Sequence, residues 1–131
     1  MTVGLITVTH NGIGKAICDA AEAILGHSNG GVRHFGVDPG DCADDVLMAM
    51  TASIREIDDG DGVAVLTDLY GATPCNIARR LAPEQRVRVL SGINLPMVLR
   101  LLNYTHLELD QAIRHATDGA HIGVIQCGPS D

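Results

Sequence analysis

Val3-Gly4-Leu5-Ile6-Thr7-Val8-Thr9-His10 is a short apolar run, rich in β-branched residues, that stops on a histidine and breaks into Asn11-Gly12-Ile13-Gly14. A run of this kind reads as a strand buried on both faces, as in a parallel sheet covered by helices. In open α/β sheets, ligands and chemistry gather in the crevice outside the carboxyl ends of the strands. The reading therefore puts His10 where a functional group belongs.

A lone histidine at a strand end is more often a structural group than a reactive one, so position by itself decides little. A second run, Val63-Ala64-Val65-Leu66-Thr67, ends in the same manner on Asp68 and continues into Leu69-Tyr70-Gly71-Ala72-Thr73-Pro74-Cys75-Asn76. If the two strands are parallel neighbours, an imidazole and a carboxylate emerge side by side, which is the pairing that functional histidines use.

Working outward, Ile17, Ala20, Ala21, Ile24 and Leu25 recur at helical spacing after His10, and Gly26 ends that helix. Asn29-Gly30-Gly31 reads as the loop that follows. Residues 32–37 read as a short edge strand, followed by an Asp38-Pro39-Gly40-Asp41 turn. Asp41 is expected to cap a helix whose inward residues are Val46, Met50, Ile54 and Ile57. Asp58-Asp59-Gly60-Asp61-Gly62 lacks the spacing and terminal Glu of a calcium loop and reads as a solvated connection.

Thr73 before Pro74 reads as an N-cap followed by proline at the first helical position, opening a helix through Ile77, Ala78, Leu81 and Ala82. Free N–H groups at such a start suit an anion, so Gly71, Ala72 and Thr73 become candidates for holding phosphoryl oxygens. Residues 87–90 form a fourth strand. Residues 97–102 form a helix apolar nearly all round except for Arg100, which calls for cover by a neighbouring element or a partner subunit. Leu109, Ala112, Ile113 and Ala116 mark a last helix, and Ile122-Gly123-Val124-Ile125-Gln126 reads as a fifth strand. The alternation predicts an α/β fold, an open sheet with parallel first strands and helices on both faces.

Residues 1–131 read as one domain, able to bury roughly two thirds of its unfolded surface. No apolar run approaches the ~20 residues needed to cross a bilayer, and no basic signal region opens the chain, so a cytoplasmic setting is expected. Sixteen acidic residues against nine basic ones leave a net charge of −7, and with the Lys and Arg scattered nucleic acid is not expected as a partner. Cys18, Cys42, Cys75 and Cys127 form no CxxC pair and read as small buried hydrophobes. His27, His34, His106, His115 and His121 have no metal-ligand spacing, so neither a metal nor a cofactor is expected.

An imidazole accepts a phosphoryl group well when a carboxylate fixes one ring nitrogen as N–H and leaves the other lone pair free. Asp68 has that relation to His10. His10 at the end of the first strand, the Asp68–Asn76 segment and Gly92-Ile93-Asn94-Leu95-Pro96-Met97 together resemble the enzyme IIA component of the mannose-type (mannose/fructose/sorbose) phosphotransferase system. The resemblance covers essentially the whole chain.

It implies that His10 is phosphorylated by the histidine-containing phosphocarrier protein and passes the group to a histidine of a IIB component. Asp68 corresponds to the acid beside that histidine and Thr73 to the hydroxyl residue of the same motif. It also implies strand order 2-1-3-4 and a homodimer that exchanges its last strand, added antiparallel to the other subunit's sheet. The sugar is read by the membrane components, and contact with the membrane comes only through permease components.

Two positions depart from the family pattern, which usually has Gly directly after the histidine and an aromatic residue where Cys75 stands. A stand-alone regulatory phosphoprotein, signalling through the same phosphohistidine, is the alternative. A hydrolase with Cys75 or His10 as nucleophile comes third, since no second base accompanies either residue.

Overall fold

The computed structural model describes residues 2–27 and 31–129. The loop expected at Asn29-Gly30-Gly31 therefore lies largely outside the described residues. Four strands, β1 (Gly4–His10), β2 (Arg33–Val37), β3 (Val63–Thr67) and β4 (Val87–Leu90), form one sheet in the order β2-β1-β3-β4. All three pairings are parallel. The connections are helices: α1 (Ile13–Leu25), α2 (Ala43–Ile57), α3 (Thr73–Arg79), α4 (Leu95–Asn103) and α5 (Leu109–Ile122).

Alternation along β1 and β3 builds two cores. Val3, Leu5, Ala64 and Leu66 point to one face and pack with Cys18 and Ala21 of α1, Met97, Val98 and Leu101 of α4, and Ala112 and Ala116 of α5. Ile6, Val8, Val63 and Val65 point to the other and meet Met50 of α2 with Ile77 and Ala78 of α3. Each fully buried Val, Ile or Leu of these strands contributes about 1.5–3 kcal/mol relative to an exposed one, which makes β1 and β3 the centre of the fold. Cover for the apolar α4 comes from neighbouring elements, chiefly α5 and α1.

Local chemistry sets the helix ends. Gly26, at φ +78, takes the left-handed turn that closes α1 and donates its N–H to the Glu22 carbonyl. The Asn94 side chain caps α4 by accepting from the Met97 N–H at 2.9 Å. The acidic stretch after α2 is more than a solvated loop, because Asp58 Oδ1 accepts from the N–H groups of Gly60 and Gly62 and from Arg86.

Gly14 lets α1 lie directly on β1. A Cβ there would stand 2.4 Å from Thr7 Oγ1, a buried hydroxyl already hydrogen-bonded to His34 Nδ1 at 2.7 Å. Gly14→Ala is expected to destabilise the protein by about 1–3 kcal/mol through overpacking. Denaturant unfolding checks this, and an unchanged midpoint would mean that the helix moves away freely.

Two further local expectations are corrected. Asp41 does not cap α2: Cys42 is the N-cap residue, and the Asp41 carboxylate accepts from the Asp38 N–H at 2.8 Å, closing its own turn instead. Cys18 and Cys75 are buried, but Cys42 and Cys127 are exposed because each lies beyond the end of a packed element.

The fifth strand does not form within the chain. The α5 ladder continues through Ile122, and Gly119 and Gly123 allow it to close on Pro96 and Arg100, where a Cβ would meet atoms within 2.3–2.5 Å. Residues 124–128 are in no strand, with Val124 and Ile125 exposed, since a strand exists only through a ladder that these residues do not find among the described ones. Among the described residues no helix is long and apolar enough to cross a membrane.

Candidate functional site

The sheet order reverses direction between β1 and β3, so the crevice outside their carboxyl ends is a topological switch point. His10 is the last residue of β1, and Asp68 follows the last residue of β3. Parallel pairing in a register that sets Val8 opposite Thr67 brings the two side chains together.

Asp68 Oδ2 accepts two hydrogen bonds from the same residue, one from His10 Nδ1 at 2.7 Å and one from the His10 main-chain N–H at 3.0 Å. Asp68 Oδ1 accepts from the Leu69 N–H at 3.0 Å. The imidazole stands half exposed at the opening, while the carboxylate beneath it is 11% exposed. Burial pushes the Asp68 carboxyl up, but the bonds from the ring and main chain of His10 outweigh it and hold the group below the ordinary carboxylate value. An ionised carboxylate can only accept, so the proton of that short bond sits on Nδ1, and in the neutral ring the lone pair is on Nε2.

His10 opens onto a cleft of about 350 Å³, lined also by Val37, Asp38, Pro39, Asp41, Thr73 and Pro74. Thr73 thus shares the cleft with His10, as the first residue of α3 rather than its cap. Gly71 and Ala72 do not line it. The Ala72 N–H is engaged by the Leu69 carbonyl at 3.2 Å, and the Gly71 carbonyl accepts from Asn76 Nδ2 at 3.0 Å. Asp38 and Asp41 are additional cleft residues that sequence reasoning took only for a turn. The signal was their position just after a parallel strand, at the same sheet end as His10.

Asn11 holds φ +46, the left-handed region, and its carbonyl lies so close to β2 that a Cβ on Gly36 would stand 2.5 Å from it. Gly suits that conformation, and Asn is among the few other residues that tolerate it. Among the described residues no group of three or more His, Cys, Asp or Glu could hold a metal ion.

Residues 4–117 match the family model described as PTS system fructose IIA component. The chain belongs to this enzyme IIA family of the phosphotransferase system. The mannose-specific EIIAB component of Escherichia coli (strain K12) is 28% identical over 103 residues, which are 78% of this chain and 32% of that protein. The chain thus spans about a third of the length of that relative.

The sorbose-specific EIIA component of Klebsiella pneumoniae is 29% identical over 86% of this chain and 83% of its own length. Among solved structures, the phosphotransferase system component EIIA from Streptococcus agalactiae superposes with TM-score 0.80 at 29% identity, covering 95% of this chain and 96% of that one. The mannose/sorbose-specific IIA subunit from Enterococcus faecalis shares the fold, with TM-score 0.83 at 22% identity over 98% of this chain and 96% of that one.

Proposed function

We propose that this enzyme IIA chain accepts a phosphoryl group on His10 Nε2 from the histidine-containing phosphocarrier protein and delivers it to a histidine of a IIB component. The observation that carries the reading is the 2.7 Å bond from His10 Nδ1 to a carboxylate held ionised, at the switch point of the sheet. In the transfer the Nε2 lone pair attacks phosphorus while the P–N bond of the donor's phosphohistidine breaks, its electron pair returning to the donor ring. The same exchange, run with a IIB histidine as acceptor, frees His10.

Throughout, the proton stays on Nδ1, and the negative Asp68 offsets the positive charge that the phosphorylated ring carries. The Thr73 hydroxyl is the donor for the phosphoryl oxygens. Gly71, at φ +86, and Ala72, whose N–H is bonded to the Leu69 carbonyl, shape the turn that carries it. Family membership supports a cytoplasmic setting, with membrane contact only through permease components. Reconstitution with enzyme I, the phosphocarrier protein and labelled phosphoenolpyruvate tests the reading: label should reach this chain, and a chain left unlabelled would overturn it.

We also infer a homodimer in which the segment after α5 pairs with the partner's sheet. Two features support it: the outer edge of β4, unpaired among the described residues, and the exposed apolar Ile122, Val124 and Ile125. Such an exchange buries apolar surface that a lone chain leaves wet, so dissociation would be coupled to unfolding. Sedimentation at micromolar concentration is expected to show dimers, and chains truncated after Gly123 to show a less stable monomer. A full-length folded monomer would refute the inference.

A further inference from the structure

Thr9 precedes His10 on β1 and its side chain is buried, 1% exposed, away from the cleft. Its hydroxyl makes two bonds. It accepts from the Gly14 N–H at 3.0 Å and donates to the His10 carbonyl at 3.2 Å. A hydroxyl has one proton to give and two lone pairs to offer, so both bonds can exist at once.

The first of these replaces a missing cap. Gly12, the N-cap residue of α1, has no side chain to bond the free first-turn N–H groups, and Thr9 satisfies one of them from the strand below. The second fixes the peptide that joins His10 to Asn11. That peptide leads into Asn11 at φ +46, the left-handed turn by which the chain passes from β1 to α1. With the His10 N–H held by Asp68 and the His10 carbonyl held by Thr9, the backbone of the acceptor residue is clamped on both sides.

We propose that Thr9 is a positioning residue for phosphoryl transfer, holding the His10–Asn11 peptide so that Nδ1 stays on Asp68 and Nε2 faces the incoming phosphorus. The proposal rests on His10 being the acceptor. Thr9→Val keeps the shape and removes both bonds, Thr9→Ser keeps the hydroxyl, and Thr9→Ala removes hydroxyl and methyl together.

The test is single-turnover transfer from the phosphorylated phosphocarrier protein at increasing donor concentration, with proton NMR of the Nδ1–H resonance on the same samples. Misplacement of a reacting group by about 1 Å can cost ~10²-fold. Thr9→Val and Thr9→Ala are therefore expected to lose about ten- to a hundredfold in maximal rate, with half-saturation unchanged and the Nδ1–H resonance exchange-broadened. Thr9→Ser should keep both the rate and the resonance.

Folded Thr9→Val protein that transfers at the wild-type rate would overturn the proposal. If Thr9→Val does not fold, Ser against Ala decides: a hydroxyl that does no positioning leaves the two equal. If the wild-type protein takes no label, the acceptor reading fails, whereas the NMR comparison still tells whether Thr9 holds the His10–Asp68 geometry.

Discussion

His10→Ala is expected to take up no label from phosphoenolpyruvate through enzyme I and the phosphocarrier protein, under conditions in which the wild-type chain is labelled fully. The wild-type label should be acid-labile and alkali-stable, as a phosphohistidine is, and should need no ATP. The loss should be complete, because no other described histidine has the same surroundings. The His34 ring is bonded to the Thr7 hydroxyl, and the His115 ring is stacked on Tyr104. Since the His10 side chain is half exposed, its removal takes little from the core, and unfolding should remain cooperative. Label on His10→Ala would move the acceptor elsewhere and sink the assignment.

Asp68→Asn is expected to fold and still to be phosphorylated, but about 10²–10⁴-fold more slowly, the usual worth of a group that holds and electrostatically supports a reacting imidazole. A neutral amide can still accept from the His10 main chain, so the strand ends stay together. What is lost is the negative charge beside Nδ1–H, and with it the preference that leaves Nε2 free. Rapid-quench transfer kinetics check this, and a variant as fast as the wild type would remove Asp68 from the mechanism.

The pH dependence has a definite sign. Folding lowers the Asp68 pKa below its ordinary 3.8, so its contribution to stability is fully present above that value and is lost as pH falls through the folded one. The share of the stability difference between wild type and Asp68→Asn that comes from this carboxyl should therefore be lost only in strong acid. A difference that faded between pH 7 and 5 would contradict the geometry.

On α1 the buried residues are Gly14, Cys18 and Ala21 while the expected Ile24 is exposed, and α3 takes Ala72 as its cap and ends at Arg79, before Leu81 and Ala82. The apolar runs of β1 and β3, the helical spacing of α2 and α5 and the Gly26 stop were legible in the sequence. So was the placement of His10 and Asp68 at strand ends. Each depends on local chemistry, meaning which face of an element is apolar and which residues tolerate its ends. The fate of Ile122–Gln126 was not legible. A short apolar stretch serves equally as the last turn of a helix or as a strand, and only the close seat of Gly119 and Gly123 on α4 made Ile122 helical.

Nor could the sequence reveal that the Thr9 hydroxyl reaches both the His10 carbonyl and the Gly14 amide. Periodicity records which side of an element is buried and is silent about what lies opposite. The hydrogen-bond partners of a polar group are chosen by tertiary juxtaposition, here by β2 and β3 lining up on either side of β1 and by α1 folding back over its own strand.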